Sequence, residues 1–83
     1  MPMIQITDLR LPPGSRPAAC VDIGGTKVAV NLIDEQGVRG RVTEPTCKQG
    51  DRDALSEQVL TLISRSCALA SVDEKDIGQV GVA

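Results

Sequence analysis

No phenylalanine, tyrosine, tryptophan or histidine occurs among the 83 residues. The largest core-filling side chains are therefore missing, and any core is built from Val, Leu, Ile and Ala, as in a piece of a larger core. Without histidine, and with Cys20, Cys47 and Cys67 far apart and in no CxxC pair, the chain lacks the donor pattern of a zinc site. An odd number of scattered cysteines reads as reduced structural thiols. No apolar run approaches the roughly 20 residues that span a bilayer, and no charged segment followed by an apolar run opens the chain. A cytoplasmic protein is expected, with no membrane partner. Basic charge is not in excess, with nine Lys and Arg against eleven Asp and Glu. Arg39 and Arg41 are the nearest thing to a basic patch, which argues against a nucleic-acid partner. A chain this short buries only about 60% of the surface its unfolded form exposes, so stability is expected to be marginal.

Prolines and glycines divide what is present. LPPGSRP, Leu11 to Pro17, resists helix and central strand, so residues 1–17 read as a tail and Pro-rich linker. A Pro-rich recognition segment is the alternative, although no PxxP pattern repeats. Ala18 to Ile23 and Val28 to Ile33 are apolar runs broken only by Asp22 and Asn31, as in strands buried on both faces. GGTK between them is short enough for a hairpin, which pairs them antiparallel. After the turn DEQG, VRGRVT alternates Val or Gly with Arg or Thr, predicting a half-solvated third strand. Arg39 and Arg41 then share its outer face and discourage edge-to-edge association.

EPTCKQG reads as a loop, with Asp51 or Asp53 available to cap a helix. Leu55, Val59, Leu62, Ile63 and Leu69 form one stripe of that helix, with Glu57, Gln58, Thr61 and Arg65 off it. The pattern suits a helix on a sheet rather than a membrane-surface helix, whose polar face would be rich in lysine. SVDEKD ends it, and Ile77 to Ala83 reads as a strand. Strand, crossover helix and strand make a right-handed parallel unit, so this last strand should lie beside the first and parallel to it. The expected class is α/β with order β-β-β-α-β. Parallel strands need both faces covered and only one helix is available, so residues 18–83 are expected to be a domain truncated at its C-terminus.

VDIGGTK, Val21 to Lys27, carries the chemistry. It is neither a P-loop nor a GxGxxG loop, and a strand rather than a helix follows it, so no helix N-terminus holds an anion here. Gly24 and Gly25 can take positive φ and present N–H groups to an anion, while Thr26 offers a hydroxyl and Lys27 a charge. Asp22, if buried on both faces, needs a partner or a nearby cation, and a hydrated Mg²⁺ would serve. The residues by themselves are equally those of an ordinary hairpin whose Asp bonds turn amides.

The stretch AACVDIGGTKVAVNLIDEQGVRGRVTEPT resembles the start of the ROK family (repressors, open reading frames and sugar kinases) of the actin and hexokinase superfamily. The resemblance runs from about Ala18 to Ala83: DIGGTK, an apolar strand, LIDEQG, a loop with PT, one helix and a strand ending GVA. Glycerol and xylulose kinases look like DIGTT here, hexokinases like DLGGTN and chaperone ATPases like DLGTT. None keeps both glycines and the lysine. The resemblance implies part of an RNase H-like, actin-like ATPase domain with a nucleotide in a cleft between two lobes. It places the first phosphate motif on Asp22, Gly24, Gly25, Thr26 and Lys27, with Asp22 on the Mg²⁺ side. The parent is then an ATP-dependent hexose kinase of glucokinase type, with ATP and Mg²⁺ as cofactors and a hexose as substrate.

The family's catalytic-base Asp, sugar-contacting residues, second phosphate motif and Cys/His zinc site fall later than these residues, so this chain alone is expected not to be an enzyme. ROK repressors carry a winged helix-turn-helix before the sugar-binding part, and the residues ahead of Ala18 are too few for one, which favours the kinase branch. A non-enzymatic partner-binding module is the remaining alternative. Uncovered apolar strands predict self-association or a covering partner.

Overall fold

β-branched runs separated by short turns make the sheet. The computed structural model describes residues 10–47 and 52–83. Strands β1 (Ala18–Ile23), β2 (Lys27–Asp34) and β3 (Gly37–Pro45) follow one another, then helix α1 (Arg52–Ala70), a 3-10 turn (Glu74–Asp76) and strand β4 (Gln79–Val82). The sheet order is β3-β2-β1-β4. β1 pairs antiparallel with β2 and parallel with β4, and β2 pairs antiparallel with β3, as the sequence predicts.

α1 covers one face of this sheet. Val21, Val28, Val30 and Val42 pack with Leu62, and Ala19 and Leu32 pack with Cys67 and Ala70. Leu55, Val59 and Ile63 lie partly buried against these clusters, so the predicted stripe is correct for four of its five residues. Leu69 is the exception at 66% exposed. The buried stripe continues through Ser66, Cys67 and Ala70 instead, because Ser66 discharges its hydroxyl onto the Gly40 carbonyl at 2.5 Å and can be buried without a lost hydrogen bond.

That contact exists because β3 is not a regular strand. Val30 pairs with Val42 and Leu32 with Arg39, so Gly40 and Arg41 together oppose Asn31 in a β-bulge with Gly40 at φ 68°. The bulge resets the alternation. Arg39 falls in register with Leu32 and reaches the Asp34 carboxylate, while Arg41 lies across from Asn31 on the other face. The two arginines therefore do not share one outer face, as strict alternation would have placed them.

Ends and connections are tied down by side chains. Gln58 of α1 donates to the Glu44 carboxylate and the Pro45 carbonyl and accepts from the Cys47 N–H, and Arg65 pairs with Glu44. α1 ends with Ser71 at φ 57°, the Val72 N–H reaching the Cys67 carbonyl and the Ser71 N–H the Ala68 carbonyl, the double bond of a Schellman stop. At the other end Asp53 sits inside the first turn of α1, where its charge favours the helix dipole; Asp51 lies outside the described residues. The Pro-rich stretch forms a turn at Pro12–Ser15, and the Arg16 guanidinium donates to the carbonyls of Lys75, Asp76 and Ile77.

Candidate functional site

The hairpin between β1 and β2 turns over Gly24, Gly25 and Thr26. Its closing bond runs from the Gly24 N–H to the Lys27 carbonyl at 2.9 Å. Neither Gly24 nor Gly25 has positive φ, so the left-handed freedom open to the two glycines is not used here. The Gly24 amide is also committed to the turn and not presented to a ligand. What glycine supplies is the absence of a side chain: a Cβ on Gly24 would lie 3.2 Å from the Lys27 carbonyl, while one on Gly25 would meet nothing within 4 Å.

A residue that the sequence reading left in a loop completes the hairpin. Thr46, just beyond β3, donates its N–H to the Thr26 carbonyl at 3.0 Å and its hydroxyl to the Gly24 carbonyl at 2.9 Å. These bonds occupy the Gly24 and Thr26 carbonyls, while the Gly25 N–H, the Thr26 hydroxyl and the Lys27 ammonium are donors still offered to solvent. Thr46→Val should lower stability by about 1 kcal/mol. A lower urea midpoint together with faster amide exchange at Thr26 is the expected result, and an unchanged midpoint counts against the cross-tie.

Asp22, Gly24, Gly25, Thr26 and Lys27 are all exposed and stand together at one end of the sheet. For Asp22 this overturns the premise of a carboxylate buried on both faces. α1 covers only one side of β1, and Asp22 alternates onto the other with Cys20, so it incurs no large desolvation penalty. Among the described residues neither Asp22 nor Lys27 has an ion-pair or hydrogen-bond partner for its side chain. One exposed carboxylate next to free donors suits Mg²⁺, which takes one or two protein carboxylates and fills its octahedron with water and phosphate oxygens. No cluster of three or more metal-ligating side chains occurs among the described residues.

The same face carries a concavity of about 410 Å³ lined by Cys20, Asp22, Ala29, Asn31, Arg41 and Gly81, among others. Asn31 is 6% exposed and its Oδ1 has no hydrogen-bond partner. Burial pushes the Cys20 thiol above its ordinary range, and the Cys67 thiol likewise, with Glu74 and Asp73 adding to the latter. Neither is a poised nucleophile, as expected of structural thiols.

No family model and no curated protein matches the chain. Among solved structures, the crystal structure of a ROK hexokinase from Thermus thermophilus is similar to it, with a TM-score of 0.70 and 26% sequence identity. The likeness covers 80% of this chain and 22% of the hexokinase, so the chain spans about a fifth of that protein's length. The mixed four-stranded α/β sheet and the sequence motif thus point to the same neighbour, and the chain is similar to a segment of a ROK sugar kinase. No helix among the described residues is long and apolar enough to cross a membrane.

Proposed function

We propose that residues 18–83 are the phosphate-holding segment of an ATP-dependent hexose kinase of glucokinase type, acting in the cytoplasm and incomplete for catalysis alone. One observation carries the reading. Asp22 and Lys27, exposed and of opposite charge, flank a turn whose Gly24 and Thr26 carbonyls are already bonded to Thr46, in a chain similar to a ROK hexokinase.

In this arrangement the Gly25 N–H, the Thr26 hydroxyl and the Lys27 ammonium donate to phosphate oxygens, and Asp22 holds a hydrated Mg²⁺, directly or through water. Mg²⁺ would supply charge neutralisation between the phosphates. Gly24 serves by closing the turn that sets these groups side by side. The sugar and the base that deprotonates its hydroxyl belong to other parts of a complete kinase.

Titration of Mg²⁺·ATP into ¹⁵N-labelled protein tests this. Weak, saturable shifts confined to the amides of Asp22 and Gly24 to Lys27 are expected, without ATP turnover in the presence of glucose. Lys27→Ala should weaken the binding about fivefold or more, since it removes a charge-assisted contact. Unmoved hairpin amides, or equal shifts in the Lys27→Ala protein, would overturn the reading.

A further inference from the structure

Gln58 lies on α1 off its apolar stripe, yet its carboxamide makes three hydrogen bonds. Nε2 donates to the Pro45 carbonyl at 2.7 Å and to Glu44 Oε1 at 3.1 Å, and Oε1 accepts from the Cys47 N–H at 3.0 Å. Glu44 is in turn paired with Arg65, about two turns further along the helix.

Residues 45–47 leave β3 beside the hairpin, and their backbone is divided between two partners. Pro45 opposes Lys27, and the Thr46 N–H reaches the Thr26 carbonyl. Along an antiparallel strand successive residues turn their N–H and C=O groups to opposite sides, so Thr46 faces the hairpin while Pro45 and Cys47 face away from it. Gln58 takes up both outward groups. A carboxamide suits the task because it donates and accepts at once; lysine and arginine cannot accept, and an ionised glutamate cannot donate. Among the described residues, the hydrogen bonds that reach Gly24–Thr26 from beyond β1 and β2 are the two from Thr46. The segment that Gln58 grips is therefore the one that ties the hairpin to the rest of the fold.

We infer that Gln58 is a positioning residue for the hairpin, an inference that rests on the reading of that hairpin as a phosphate site. Gln58 touches neither nucleotide nor metal. By fixing the backbone on both sides of Thr46, it keeps the Thr46 N–H and hydroxyl on the Thr26 and Gly24 carbonyls, whose partial negative charge would otherwise be free to repel phosphate. The Gly25 N–H, the Thr26 hydroxyl and the Lys27 ammonium then stay together as donors. Such coupling is reciprocal: a grip that strengthens phosphate binding is itself strengthened when phosphate binds.

Titration of Mg²⁺·ATP into the ¹⁵N-labelled wild-type chain and two variants tests this. Gln58→Met keeps length and helix propensity and removes both polar functions, whereas Gln58→Glu keeps size and acceptor and removes the donor. Both should retain the wild-type far-UV circular dichroism and shift the same hairpin amides, with binding weaker by about fivefold or more, the lower end of ordinary coupling between sites. In the wild type, saturating Mg²⁺·ATP should also slow hydrogen exchange at the Cys47 amide. A merely structural Gln58 would lower the unfolding midpoint and leave both the affinity and that exchange unmoved. Hairpin amides that ignore nucleotide in the wild type would overturn the phosphate reading and this inference with it. Wild-type binding with equal affinity in the variants, or with no slowing at Cys47, would overturn the inference alone. The Cys47 measurement needs no variant, so it decides if neither variant folds.

Discussion

Gly40→Ala is expected to lower folding stability by about 3 kcal/mol or more, close to the whole stability available to a chain of this size. Two costs add. Gly40 has φ 68°, where a Cβ costs roughly 1–2 kcal/mol. A Cβ there would also lie 2.5 Å from the Ser66 carbonyl oxygen, 3.0 Å from Ser66 Oγ and 3.2 Å from Ala70 Cβ. The first of these is backbone near the C-terminal end of α1, so the clash cannot be relieved by a rotamer change. Relief requires lifting the helix off β3, which breaks the Ser66 to Gly40 hydrogen bond and loosens the packing of Cys67 and Ala70 on Leu32. Urea unfolding followed by far-UV circular dichroism should show a protein largely unfolded without denaturant, or with a midpoint far below the wild type. A wild-type midpoint would mean that helix and bulge do not approach so closely.

Leu62→Ala is the second large effect, about 2–5 kcal/mol. Leu62 has no exposed surface and packs with Val21, Val28, Val30 and Val42, so truncation leaves a cavity between helix and sheet. No aromatic ring is available nearby to collapse into it. Leu69→Ala, at a residue 66% exposed, should stay within about 0.5 kcal/mol of the wild type. The two leucines are seven residues apart and would fall close together on a simple helical stripe. Their difference, measured in the same urea experiment, therefore reports the rotation of α1 on the sheet. Equal losses would show the helix turned toward Leu69.

Much of this fold was legible from residue pattern, for reasons that are local. GGTK between two apolar runs leaves little choice but a hairpin, and a helix between two strands leaves little choice but a parallel crossover. Leu55, Val59, Leu62 and Ile63 are large enough for burial alone to fix their side of the helix. Ser66 gave no such signal, since its burial depends on an acceptor 26 residues away, and that acceptor depends on a bulge. The bulge itself is hidden in VRGRVT, which reads as perfect alternation; the pairing register and the positive φ of Gly40 reveal that one residue too many is present. At the candidate site the residues singled out from the sequence do stand together and exposed at one end of the sheet, but two physical arguments attached to them differ from the geometry. Asp22 is solvated because only one sheet face is covered, and the Gly24 N–H closes the turn. Thr46 was out of reach because a threonine after proline carries no mark of the two carbonyls it will satisfy.

The position of β1 between β2 and β4 has a kinetic meaning. One neighbour is reached across a three-residue turn, the other only after the chain has made its helix; the Arg16 contact to the Ile77 carbonyl beside β4 closes a sequence separation of 61. Loop-closure entropy grows with that separation by about 0.6 kcal/mol per doubling, and it must be met before the β1–β4 ladder returns anything. The three-stranded meander can thus assemble early, whereas β4 arrives late. Arg16 gathers three successive carbonyls into one guanidinium immediately before the last strand, so that the contact and the β1–β4 ladder share one long loop closure.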